Sequence, residues 1–217
     1  MKGADARSGI GDKLVHDQSS GANYVIGQRG VDDLIIQDSV ITSSEGPYNY
    51  FIAKFSASGS FLWIEEFPAQ ITLDDLTILS DGVLLSGVFT AGSLIVNGET
   101  MTNQGSGDCF MMKYDADGSR VFVRTVGGSE IEYLCITAAD QQGNIYLATE
   151  ATSPGVTMED GAVFPMEDGD GNVLVVKYDN SGTRIWQDSY SGSPTTDYSS
   201  WPTALTIDPV GNPVLKG

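Results

Sequence analysis

Phe51-Ile52-Ala53-Lys54-Phe55-Ser56-Ala57-Ser58-Gly59, followed by Trp63, decides how this chain is read. The string returns as Phe110-Met111-Met112-Lys113-Tyr114-Asp115-Ala116-Asp117-Gly118, followed by Phe122. It returns again as Leu174-Val175-Val176-Lys177-Tyr178-Asp179-Asn180-Ser181-Gly182, followed by Trp186. The lysines are 59 and then 64 residues apart. A period of that size exceeds most solenoid repeats and suits a four-stranded propeller blade. Within each copy alternate residues share a face: Phe51, Ala53 and Phe55, then Phe110, Met112 and Tyr114, then Leu174, Val176 and Tyr178. The turn that follows opens on Ser or Asp and closes on Gly, which suits a hairpin with a glycine bulge.

A second pair of runs precedes each of these. Lys13–His16, Leu76–Leu79, Leu134–Thr137 and Ala204–Ile207 come first. Tyr24–Gly27, Leu84–Gly87, Ile145–Ala148 and Val214–Lys216 come second. Turns rich in Gly and Asn join them, as in Asp140–Asn144 and Asp208–Asn212. Two hairpins make four antiparallel strands per unit. A lone four-stranded sheet exposes both faces, and stacking sheets around an axis buries them. A longer connection lies between the two hairpins of each unit and carries its own small repeat. Leu34–Asp38 matches Leu94–Gly98, and Val156–Asp160 is a weaker copy. The expected fold is all-β, made of propeller blades. A tail over 1–10 precedes units near 11–70, 71–130 and 131–195, with a partial unit over 196–217. A closed ring needs at least four blades. Three and a half repeats therefore read as an incomplete propeller or a fragment of one.

The pattern Phe110-x-x-Lys113-Tyr114-Asp115-x-Asp117-Gly118, then Phe122, then Asp140-x-x-Gly143-Asn144-Ile145-Tyr146, resembles the bacterial seven-bladed β-propeller repeat family. The likeness covers most of 11–217. It implies a propeller module of a secreted or cell-surface bacterial protein, often part of a longer chain, with no general biochemical activity assigned to the family. No catalytic residue carries over from the motif. The partners expected are neighbouring propeller repeats of the same or another chain, and a protein or glycan ligand.

The composition narrows the function further. The chain carries 29 acidic and 11 basic residues, a net charge of −18. Such a surface repels nucleic acid and anionic membranes. No apolar run approaches the ~18 residues that cross a bilayer. The start, Met1-Lys2-Gly3-Ala4-Asp5-Ala6-Arg7, lacks the apolar stretch of a signal peptide. The expected location, extracellular or cell surface, thus rests on the resemblance alone. Cys109 and Cys135 are the only cysteines. Their even number permits a disulfide, but both lie in apolar runs, and they read as buried free thiols.

Few residues suggest chemistry. Asp168-Gly169-Asp170-Gly171-Asn172 places alternate oxygen ligands between glycines, so Asp168, Asp170 and Asn172 are the calcium candidates. Val173 stands where an EF-hand needs its turning glycine, which removes that motif. Trp201, beside Pro202, falls outside the repeat pattern and is the candidate ligand-stacking aromatic. His16 is the only histidine, so neither a histidine metal site nor a Ser-His-Asp triad has support. The three repeat lysines read as stems laid on a solvated sheet face and paired with nearby carboxylates. Trp63, Phe122 and Trp186 read as inter-blade packing. Adjacent acids such as Asp74-Asp75 should point to opposite faces of a strand and make no site by themselves. The expected function is a non-enzymatic propeller module that scaffolds or binds. The alternative is part of a propeller enzyme acting on polysaccharide, which would need acids from two blades converging with shifted pKa values.

Overall fold

The computed structural model describes residues 10–30, 33–42, 49–96, 98–166, 172–190 and 202–216. The described residues contain strands and turns and no helix. The all-β expectation therefore holds, in the form of propeller blades.

The first blade is built from β1 (Ile10–His16), β2 (Asn23–Arg29), β5 (Asn49–Phe55) and β6 (Phe61–Phe67), paired in that order. Between β2 and β5 the connection folds into its own hairpin, β3 (Leu34–Ile36) and β4 (Ser39–Ile41). The second blade repeats the plan with β7 (Ile71–Leu79), β8 (Gly82–Phe89), β11 (Asp108–Asp115) and β12 (Arg120–Gly128). Its insert hairpin is β9 (Ser93–Val96) and β10 (Glu99–Thr102). The third blade is β13 (Glu132–Ala139), β14 (Ile145–Ala151), β17 (Asn172–Tyr178) and β18 (Arg184–Tyr190), with the insert hairpin β15 (Gly155–Thr157) and β16 (Val163–Pro165). A last hairpin, β19 (Ala204–Ile207) and β20 (Pro213–Lys216), packs beside β13. The first strands of successive blades lie side by side, β1 on β7, β7 on β13 and β13 on β19. The described strands thus form blades in series and no closed barrel.

The core sits between the blades. Two large clusters fill the two seams. One is built around Tyr24, Ile52, Leu85, Phe110 and Tyr114, the other around Leu84, Met111, Val126, Leu147 and Val176. The repeat aromatics pack there as expected. Trp63 lies edge-on to Tyr24 at 6.0 Å and beside Tyr114 of the next blade at 6.1 Å. A Cβ on Gly118 would meet the Trp63 ring at 2.9 Å, and one on Gly182 would meet Phe122 at 3.0 Å. Glycine closes these two turns both because φ is positive there, +86° and +79°, and because the previous blade's aromatic lies against it.

The third insert hairpin does not stay with its own blade. Val156 and Thr157 of β15 pair with Gly128 and Gly127 of β12, so the second blade's sheet grows to six strands. An edge strand that would present unpaired backbone groups is covered in part by its neighbour's loop.

The cysteines correct the sequence expectation. Cys109 on β11 and Cys135 on β13 form a disulfide with a Cα–Cα distance of 5.6 Å. Both are fully buried, but they meet across the seam rather than resting in separate cores. Blade stacking brings them together, and neither apolar run alone reveals it.

Candidate functional site

Three β-bulges set up the polar side of the seams. The inner strand of each blade breaks register at the same place: between Gly11 and Lys13, between Leu73 and Asp75, and between Tyr133 and Ile136. An extra residue in one strand re-aims side chains. Asp74 and Asp75 consequently do not alternate. Both reach the third blade, where Asp74 Oδ2 accepts the Cys135 N–H at 2.9 Å and Asp75 Oδ2 accepts the Thr137 N–H at 3.0 Å. The other oxygen of Asp75 pairs with Lys13 of the first blade. One carboxylate thus ties three blades. Burial pushes the Asp74 carboxyl up to about 6, against the pull of the Cys135 N–H. Leu134 sits in the third bulge with φ +53°, a conformation few non-glycine residues adopt.

The buried acids that converge from two blades are Asp108 and Glu132. Asp108 opens β11 in the second blade and Glu132 opens β13 in the third. Backbone bonds hold the two strand starts together. Glu132 N–H donates to Gly107 O at 2.8 Å, and Ser106 N–H donates to Glu130 O at 2.9 Å. Both side chains are fully buried. Asp108 Oδ2 accepts the Gln104 N–H at 2.8 Å, while Oδ1 has no hydrogen-bond partner among the described residues. Glu132 accepts the Ser153 hydroxyl at 2.6 Å and the Gly128 N–H at 2.9 Å. Burial raises Asp108 to about 6 and Glu132 to about 7, the latter helped by the charge of Asp108. Gly127 and Gly128 make room for the pair: a Cβ on Gly127 would overlap the Asp108 carboxyl, and one on Gly128 would overlap Ser153.

This pair has the symmetry breaking that a propeller active site requires, but not its access. The equivalent of Asp108 is Asn172 in the third blade, and the equivalent of Glu132 is Ile71 in the second. A glycoside hydrolase needs two carboxyls flanking a substrate bond, several ångströms apart in an open cleft. Asp108 and Glu132 are both shut off from the surface. Chemically the pair can hold protons near neutral pH and change the cost of the seam as it releases them.

The candidates named from sequence scatter. Asp168, Asp170 and Trp201 lie outside the described residues. Asn172 opens β17 and is buried. Among the described residues no group of three or more His, Cys, Asp or Glu side chains is placed to hold a metal ion. The lysines depart from the solvated-face expectation. Lys54 and Lys113 are buried, and each crosses to the next blade. Lys54 Nζ donates to Ala116 O at 2.7 Å. Lys113 Nζ donates to Asn180 O at 3.0 Å, Asn180 Oδ1 at 2.9 Å and Asp81 Oδ2 at 2.8 Å. Lys177 lies over the Tyr146 ring at 4.7 Å and 3.6 Å from Asp140. Lys54 and Lys113 are equivalent clamps between blades, whereas Lys177 contacts Tyr146 and Asp140 of its own blade.

Among known proteins, no family profile matches this chain and no curated protein matches it. Solved structures align only loosely. A single-site variant of Synechocystis apocarotenoid oxygenase aligns over 77% of this chain and 35% of its own, at 13% identity and a TM-score of 0.38. A chimera of that oxygenase with RPE65 aligns over 90% of this chain and 46% of its own, at 12% identity and a TM-score of 0.40. A Bacteroides caccae protein of unknown function aligns over 84% of this chain and 82% of its own, at 10% identity and a TM-score of 0.24. This chain therefore spans less than half the length of the oxygenase chains. Likenesses this distant carry no argument for family or activity.

Proposed function

We propose that this chain is a non-enzymatic β-propeller module, a scaffold or binding domain that works outside the cell. The observation that carries the reading is the Cys109–Cys135 disulfide between two blades. Disulfides persist in oxidising compartments and are rare where glutathione and thioredoxin keep thiols reduced. The burial of Asp108 and Glu132 is in keeping with this reading, because both acids are fully covered among the described residues. The dense acidity fits a chain that stays soluble in a salty medium.

The test is thiol trapping in the producing cell. Both cysteines should resist alkylation until reductant is added, and the protein should be cut by protease applied from outside. Two freely alkylated cysteines on a protease-shielded protein would refute the exterior reading. A second reading, part of a propeller enzyme acting on polysaccharide, draws on the same acid pair. It predicts reducing ends released from a polysaccharide and lost in Asp108→Asn. On the module reading no such release occurs.

A further inference from the structure

The seam between the second and third blades opens, on its outer rim, into a groove of about 660 Å³. That volume falls within the ~300–1,000 Å³ of ordinary ligand pockets. Its floor is Val123, Arg124 and Thr125 of β12, and one wall is the turn Gly182–Arg184 of the next blade. The insert hairpins supply the rest, Thr100 and Met101 from one and Glu159 and Asp160 from the other. The groove shares no side chain with the buried acid pair.

Repeat symmetry shows what is special here. Two residues after each repeat aromatic, the outer strand carries Glu65 in the first blade and Asp188 in the third, opposite Ile52 and Val175. The second blade carries Arg124 there, opposite Met111. A chain with net charge −18 thus places a cation at the equivalent position in this blade alone. Arg124 is also fixed in place. Its Nε donates to Gly182 O at 2.7 Å, its Nη1 donates to Val123 O at 2.7 Å, and its guanidinium lies 4.9 Å over the Phe122 ring. Across the groove Arg184 is held by Asp160 and by Glu159, the latter at 3.4 Å, and donates to Gln187 at 3.0 Å. Tyr178 donates its hydroxyl to Glu159 at 3.3 Å.

We propose that this groove binds a neutral oligosaccharide. The proposal rests on the binding-module reading and gives that module a ligand class. Sugar hydroxyls both donate and accept, and a vicinal diol is matched by a fixed donor beside a fixed acceptor. The guanidiniums of Arg124 and Arg184 provide the donors. The carboxylates of Glu159 and Asp160 provide the acceptors, and the hydroxyls of Thr100, Thr125 and Thr183 serve as either. A phosphate or an acidic sugar would meet those two carboxylates and the charge of the whole chain. An apolar ligand would find only Val123 and the largely buried Met101. Because the charged groups are already held by each other and by backbone carbonyls, binding requires little reordering.

The experiment is an NMR titration of the ¹⁵N-labelled chain with neutral linear trisaccharides of glucose, xylose, mannose and galactose, and with a galacturonic acid trimer. At millimolar sugar at least one neutral trimer should shift the amides of Arg124, Thr125, Gly182 and Thr183 in a saturable way. Arg124→Ala should weaken that binding by about tenfold or more, a loss near 1.4 kcal/mol. Thr100→Trp fills the groove from the opposite wall, leaves the Arg124 contacts alone, and should abolish binding in a chain whose other amides do not move. No response to any neutral trimer, shifts confined to another surface, binding of the acidic trimer alone, or undiminished binding in Thr100→Trp would each overturn the proposal. Thiol trapping is read separately, so a failed titration leaves the exterior reading standing. Free cysteines in the cell would sink that reading without altering the titration.

Discussion

Lys54 of the first blade donates its ammonium to the backbone carbonyl of Ala116, in the turn that closes the second blade's outer hairpin. The donor is a repeat position and the acceptor is a repeat turn, 62 residues later in the chain. The bond therefore has a successor, Lys113 to Asn180, at the next seam. The repeat encodes a contact between blades as well as a strand.

The first prediction concerns that contact. Lys113→Met keeps the stem and removes the charge. It should cost about 2 kcal/mol in urea melts, in line with the ~1.5–3 kcal/mol of hydrogen bonds to charged groups. Lys177→Met should cost less than half of that, because Lys177 is more exposed and the Asp140 carboxylate beside it is 3.6 Å away. Equal losses would show that the buried crossing adds nothing.

The glycine turns permit a cleaner test. Gly59 and Gly118 have nearly the same φ, +84° and +86°. A Cβ on Gly59 meets nothing within 4 Å, whereas one on Gly118 meets Trp63 at 2.9 Å. Gly59→Ala therefore reports the backbone strain alone, about 1–2 kcal/mol. Gly118→Ala should cost at least about 1 kcal/mol more from overpacking. The excess should vanish in a Trp63→Ala background, as a double-mutant cycle would read. An excess that persists would place its origin outside the ring.

Stability should fall as pH rises through the neutral range. Asp74, Asp108 and Glu132 have folded pKa values raised to about 6, 6 and 7, from ordinary values of 3.8, 3.8 and 4.5. When the folded pKa of an acid is raised, the unfolded chain releases the proton first. The cost is absent below about pH 4, grows as pH rises, and is complete above about pH 7. Asp17, Asp140 and Asp208 are shifted downward and act in the opposite sense, losing their contribution only as pH falls below about 4. Denaturation midpoints should drop between pH 5 and pH 8, and Glu132→Gln should flatten that drop. A midpoint that rises over the same interval would contradict the burial of these acids.

Reduction of the disulfide gives the fourth prediction. It closes a separation of 26 residues, for which loop entropy suggests about 3.5 kcal/mol. The Cys109→Ala/Cys135→Ala chain should melt at lower denaturant by roughly that amount, and adding reductant to it should change nothing further.

The strand order could be read from the chain because period-two faces and glycine turns are local signals, repeated three times. Trp63 and Phe122 were legible as seam residues for the same reason. The facing of Asp74 and Asp75 was not. It depends on a bulge that shifts the register by one residue and leaves no mark in composition. The Cys109–Cys135 bond, the burial of Lys113 and the meeting of Asp108 with Glu132 were hidden for a related reason. Each is a contact between neighbouring blades, and its distance is set by how sheets stack rather than by any spacing along the chain.

The hydrogen bonds of β15 to β12 have a mechanical consequence. A loop that belongs to the third blade is stitched into the second blade's sheet, and the disulfide rivets the same two blades. Pulled from its ends, the chain should yield first where neither fastening exists, at the seams on either side of that pair. The remaining pair would then bear load as one piece, so an array of nominally equal units has soft joints and a stiff one.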